Sequence, residues 1–215
     1  MELALAVILA LAAVGTAWAG FQSTKWSGVQ ANSYAAAAAD RTESTRRSTE
    51  AGQLLTIDVI SFTQWLTALN EEIIADPSKR PQGSYQPDPN AVSGFLFNRF
   101  RAEFKPAVTA WLATHPLTDP QAPSTPFAMP EYKLAASAQS ATLAERADRL
   151  AAKARRSNQR SDNYVLTAVL FALVLFFAAL AGRFEPGRPR WIMFGMAVLA
   201  LVGALTLLAT FPIQV

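Results

Sequence analysis

The chain of 215 residues contains no cysteine. That excludes a disulfide, a thiolate metal site and a thiol nucleophile, and it leaves the compartment open. There is one histidine, His115, beside Pro116 and with no acid or nucleophile close in sequence. A triad needs a base oriented by an acid, and a metal site needs clustered ligands, so His115 is expected to be structural or solvated. No Walker loop, dinucleotide fingerprint or G-x-S-x-G stretch occurs. Glu71, Glu72 and Asp76 crowd one helix end, which fits a solvated loop entry better than a cation site. No catalytic, cofactor-binding or metal residue is assigned, and a non-enzyme is expected.

An excess of one charge is also missing. The formal net charge is +3, and residues 22–163 hold 16 Lys/Arg against 14 Asp/Glu. Despite a pI of 9.4, no basic stripe or stacking motif stands out, so nucleic acid is not an expected partner.

Three runs lack charge altogether: Leu3–Phe21, Tyr164–Gly182 and Trp191–Phe211. Each is long enough to cross a bilayer, and together they raise the mean hydropathy to +0.17. The first run can be read as a cleaved signal peptide, with Ala17-Trp18-Ala19 as an A-x-A site, as a retained anchor, or as a buried helix. Its length and the lack of a basic n-region favour the anchor. Ala12, Thr16 and Gly20 recur every four residues and permit close helix packing. No ionisable residue lies inside any run, so no proton or ion relay is expected there.

Phe21–Ile74 holds no proline, and the Ala35–Ala39 run is a strong helix former. One long helix is expected, with Gly28 and Gly52 as weak points. Asp40–Glu50 is polar all round, either a solvated helix or a local break. Leu55, Val59, Phe62, Leu66, Leu69 and Ile73 then step by four and three, a coiled-coil-like seam. Two proline-rich loops follow at residues 76–94 and 114–130. Between them Phe95–Ala113 reads as an aromatic helix interrupted at Pro106, which either kinks it or starts its second half. Phe97, Phe100, Phe104 and Trp111 share its face and are expected to cover the surface around Trp65. Phe127 and Met129 suggest that the second loop lies against the helices. Pro130-Glu131 is expected to open the next helix, which has no Pro or Gly before Gly182. Ala136, Ser140, Leu143, Ala147, Leu150 and Ala154 give it a small-residue seam for an antiparallel partner. Arg183–Arg190 reads as a hairpin turn.

Lys25 and Trp26 after the first run, and Arg160 and Tyr164 before the second, are expected at the same membrane interface. Both flanks are rich in amides and hydroxyls. Hydrogen bonds from Gln30 or Ser23 to Asn158 or Asp162 are the candidate helix-lock or partner contacts between them. The three arginines of the 183–190 turn place that turn in the cytoplasm by the positive-inside rule, against five basic residues on the domain side. The domain is therefore expected outside the cytoplasm.

The segments FQSTKWSGVQA, AWLATHPLTDPQAPSTPFAMPEYKLA and NQRSDNYVL, followed by two spans, resemble a family of uncharacterised bacterial three-span membrane proteins. The resemblance covers most of the chain and implies an architecture, no mechanism and no catalytic residue. The expected fold is all-α: an integral membrane protein with three transmembrane helices and an inserted helical hairpin or coiled-coil-like domain. Residues 1–21 form the first transmembrane helix and 22–163 the extramembrane domain. Residues 164–211 form a transmembrane hairpin with spans 164–182 and 191–211. The expected role is a membrane-anchored scaffold or accessory subunit in the bacterial inner membrane. Its partners would be the lipid bilayer and either its own copies or another membrane protein, with no cofactor. A membrane sensor, or a subunit of an oligomeric channel or transporter, is the alternative.

Overall fold

The computed structural model describes residues 2–214; Met1, at the start of the expected first span, lies outside them. The described chain is all-α and has no strand. It has five helices: α1 Glu2–Ala75, α2 Val92–Asn98, α3 Lys105–Ala113, α4 Ala135–Arg183 and α5 Arg188–Thr210. Helices α1, α4 and α5 are each long and apolar enough to cross a membrane. Helix α1 passes through Gly28, Gly52 and the polar stretch without a break. In the polar stretch, Glu43 accepts from Arg46 and Arg47, and Glu50 from Arg47, at 2.7–3.0 Å. These one-turn pairs give an all-polar helix local support.

Internal contacts divide the chain into two compact units, residues 1–39 with 146–215, and residues 40–145. The sequence boundaries at 22 and 163 were drawn where apolar runs end. The structural ones fall where packing partners change.

The first unit contains the three apolar segments. On α1 the buried positions are Leu5, Ile8, Ala12, Gly15, Ala19, Gln22 and Trp26, in steps of three and four. On α4 they include Tyr164, Thr167, Phe171, Val174, Ala178 and Ala181. Such steps keep one stripe of each helix facing its neighbour. The stripe on α1 is small: a Cβ on Gly15 would collide with the Phe171 ring. Ala12 is buried as expected, whereas Gly20 is exposed, because the seam turns through Gly15 and Ala19 rather than repeating every four. Ala197, Leu201 and Ala204 of α5 complete this core. Opposite stripes stay bare: Val7, Val14, Val165, Leu166, Val169, Phe176, Leu199 and Val202 are all exposed. The turn between α4 and α5 is shorter than 183–190, since Arg188–Arg190 already belong to α5.

The second unit packs α2, α3 and the loops onto residues 58–73 of α1. Its core contains Phe62, Trp65, Leu69, Phe97, Phe100, Phe104 and Trp111, flanked by Tyr85, Phe127, Met129 and Tyr132. Phe104 and Phe127 stack at 5.2 Å and 4°, while Phe62 meets Trp111 edge-on at 5.3 Å. Each such pair adds about 0.5–1.5 kcal/mol beyond area burial. The aromatic cover over Trp65 is thus the expected one, as is the packing of Phe127 and Met129.

Two expectations need correction, and a third is decided between its alternatives. The aromatic segment is two helices, with residues 99–104 between them and Pro106 starting the second half, in the first turn of α3. Proline there forfeits no helical hydrogen bond. Helix α4 starts at Ala135, not at Pro130, because Tyr132 is drawn into the aromatic core. On the seam of α1, Leu55 and Val59 are exposed, and the buried stripe runs through Asp58, Phe62, Trp65, Leu69 and Ile73. The cover comes from α2 and α3, which lie over the Trp65 side. Higher up, the hydroxyls of Ser44 and Ser140 each donate to the other's backbone carbonyl at 2.9 Å. Two small residues let the α1 and α4 backbones approach closely there.

Candidate functional site

Two polar clusters stand out, one in each unit. The first closes one end of the three-helix unit. Gln22 is fully buried on α1. Its amide donates to the Gln214 carbonyl at 3.2 Å and its oxygen accepts the Gln214 N–H at 2.9 Å. A glutamine thereby imitates a strand partner for the segment after α5. The Pro212 carbonyl accepts from the Trp26 indole at 3.1 Å and from the Tyr164 hydroxyl at 3.2 Å. Ser161 on α4 lies 2.9 Å from the hydroxyls of both Ser23 and Ser27, and donates to the Ser23 carbonyl at 3.1 Å. Every group here has a partner, as a buried polar cluster requires.

Of the four expected interface residues, three converge. Arg160 sits over the Trp26 ring at 4.4 Å, and Trp26 and Tyr164 share Pro212. Lys25 is exposed, 5.7 Å from the Phe21 ring. Three of the candidate lock residues are placed differently. Asn158 donates to Asp162 at 2.9 Å along the exposed side of α4, and Gln30 is half-buried on α1. The bonds between α1 and α4 run from Ser161 to Ser23, itself an expected lock residue, and to Ser27, while Gln22 holds the segment after α5. A sequence signal for them existed: on α1, Gln22 follows Ala12, Gly15 and Ala19 at a step of three and Ser23 and Ser27 at steps of four, while Ser161 lies three residues before Tyr164 on the buried stripe of α4. Longer side chains drew attention, yet short hydroxyls suit a close helix crossing better.

The second cluster, absent from the sequence reading, centres on Asp58. This carboxylate is fully buried. Arg101 donates to it twice, Nε to Oδ1 at 2.9 Å and Nη2 to Oδ2 at 3.0 Å. Tyr132 adds a third bond at 3.1 Å, and Glu103 takes another Arg101 N–H at 3.2 Å. The Asp58 hydrogen bonds raise the Arg101 pKa. Burial, then the negative charge of Asp58, pushes the Tyr132 phenol well above its ordinary value of 10.0. The fork geometry is the strong form of a charge pair. It staples α1 to the linker between α2 and α3 and to the segment before α4. Both Asp58 oxygens are already engaged, so the arrangement is a clamp.

Glu72, expected at a solvated loop entry, accepts the Ser93 N–H at 3.0 Å and its hydroxyl at 2.7 Å. It satisfies a donor at the first turn of α2. Asp76 caps the short 3-10 turn at Pro77–Lys79, and the Ser78 hydroxyl and N–H lower its pKa. His115 adopts a left-handed φ of 55° just beyond α3, and its ring packs on Gly83. Among the described residues no group of three His, Cys, Asp or Glu side chains could hold a metal ion. The aromatic region around Trp65 and Trp111 is filled by its own rings. Comparison with protein-family models, with curated proteins and with solved structures gives no match.

Proposed function

We propose that this chain is a three-span integral protein of a bacterial inner membrane, and that it acts without catalysis as a scaffold or accessory subunit. The observation that carries the reading is the first unit's division of labour. Each apolar helix buries a stripe of small and aromatic residues and leaves a wide aliphatic stripe bare. Bare aliphatic surface on this scale is what hydrocarbon solvates. The Gln22, Trp26 and Tyr164 cluster then marks the end of that surface with paired polar groups. The helical unit inserted between spans one and two presents itself through α1 and the aromatic lid. By the short-loop charge rule it stands on the extracytoplasmic side.

Self-association has its own support. Leu55 and Val59 lie exposed on the half of the α1 seam that the lid does not cover. Beside them runs a groove of about 320 Å³ lined by Leu66, Leu69, Ile73 and Leu117. A second copy or another membrane protein would use this flank. One observation favours a sensor as the second reading: α1 and α4 are each unbroken helices that contribute to both units.

The test is the oligomeric state of the chain in mild detergent, with co-purifying proteins identified. A self-associated or partnered chain is expected. A strictly monomeric, partner-free chain sinks the scaffold reading. Protease accessibility of the inserted unit in spheroplasts tests its side of the membrane.

A further inference from the structure

Five basic residues gather at the hydrogen-bonded end of the three-helix unit. Lys153, Arg156 and Arg160 recur at three and four residues and so share one flank of α4. Arg155 lies about 140° round α4 from Arg160, and Lys25 is on α1. Lys25, Lys153, Arg155 and Arg156 are exposed. None of the five has an acidic partner among the described residues. The acid closest in sequence, Asp162, accepts from Asn158 and lies about 200° round the helix from Arg160.

The cluster adjoins the bare apolar surface. Arg160 is held on the Trp26 ring, with exposed Phe21, Val165 and Leu166 on the adjoining turns. Lys153 lies about 10 Å farther along the helix, close to the screening distance of about 8 Å at physiological salt. Lys153 also walls a groove of about 300 Å³ that includes Asn32 and Ser33, two further hydrogen-bond donors.

We propose that this collar binds anionic phospholipid headgroups of the leaflet at that end. The inference rests on the membrane-spanning reading above. Phosphodiester oxygens accept the forked guanidinium N–H groups and the lysine ammonium. Arg160, already stacked on an indole at the edge of the apolar surface, is held where a headgroup phosphate would sit. A charged residue next to a span contributes roughly fivefold to anionic-lipid preference. Spread over several lipids around the protein, the collar is expected to give about a three- to tenfold preference.

The experiment reconstitutes the full chain in phosphatidylcholine bilayers and confirms insertion by resistance to alkaline carbonate. Spin-labelled phosphatidylglycerol and phosphatidylcholine then report which lipid the protein immobilises. Phosphatidylglycerol should be preferred, and the preference should fade at 1 M salt, where screening shortens to about 3 Å. It should collapse in the K153Q/R156Q/R160Q variant with helical content and insertion unchanged, and persist in R183Q/R188Q/R190Q at the other end. Equal immobilisation of both lipids overturns the proposal, as does a preference that survives in the collar variant. Loss of the preference on adding inorganic phosphate at constant ionic strength assigns the site to a soluble anion and overturns it too. Release by carbonate refutes the spanning reading itself, and the collar with it.

Discussion

Arg101→Met should be among the most damaging substitutions in the inserted unit. Asp58 has a side-chain exposure of 0% and Arg101 one of 24%. Deleting the guanidinium removes two bonds from a carboxylate that water does not reach. Breaking a buried pair from one side costs about 3–5 kcal/mol. The partial exposure of Arg101 and the surviving Tyr132 bond place this loss near the lower end, about 3 kcal/mol. Removing both charges should reverse most of it. Asp58→Leu with Arg101→Met leaves no uncompensated charge, and such replacements are often neutral or stabilising. The assay is urea unfolding of the full chain in detergent, followed by near-ultraviolet circular dichroism and tryptophan emission. Trp65 and Trp111 belong to the same core and report its loss directly. The denaturant slope should stay constant, so that a midpoint shift measures stability. The clamp is refuted if Arg101→Met costs less than about 1 kcal/mol. It is also refuted if the double variant is as unstable as the two single losses added together.

Tyr132 provides a pH prediction. Its phenol titrates higher in the folded chain than the ordinary value of 10.0, so the folded state holds that proton more tightly. Its contribution is complete below about pH 10 and drains away as pH rises toward the folded value. Tyr132→Phe should flatten this alkaline limb while costing about 1 kcal/mol at neutral pH; an unchanged alkaline limb would count against the assignment. Gly94→Ala should destabilise the inserted unit by about 1–3 kcal/mol, because the new Cβ would strike the Asp88 backbone carbonyl. A variant as stable as the parent in the same urea assay would show that this loop yields. Ser161→Ala removes the hydroxyl that bridges Ser23 and Ser27 and should cost about 1–2 kcal/mol, read as a lower thermal midpoint in detergent. Gln22→Ala should speed amide exchange at Gln214, whose N–H then loses its acceptor; exchange unchanged from the parent would mean the tail is held by other bonds.

Much of the architecture was legible in the sequence because it depends on local chemistry. Uncharged runs of membrane length, the proline-free stretch up to Ala75 and the clustered prolines at 76–94 and 114–130 each act within a few residues of themselves. The aromatic spacing of Phe97, Phe100, Phe104 and Trp111 was equally plain, since a wide apolar surface around Trp65 demands a wide cover. The five basic residues of this end were countable in the sequence as well, but that Lys153, Arg156 and Arg160 share one flank follows only from the helix's rotation.

Tertiary structure decided what long-range partners decide. Asp58 reads as an ordinary polar position until Arg101 and Tyr132, 43 and 74 residues away, arrive to satisfy it. Which flank of the Leu55–Ile73 seam is buried depends on where α2 and α3 lie, and no periodicity on α1 encodes that. Helix α4 could have begun at Pro130, but Tyr132 gains more from the aromatic core than from one more helical turn. At the end of the three-helix unit, the sequence placed Trp26, Arg160 and Tyr164 at one depth through their amphipathic side chains. The closeness of the helix crossing then chose short serines to join α1 to α4, and one buried glutamine holds the segment after α5.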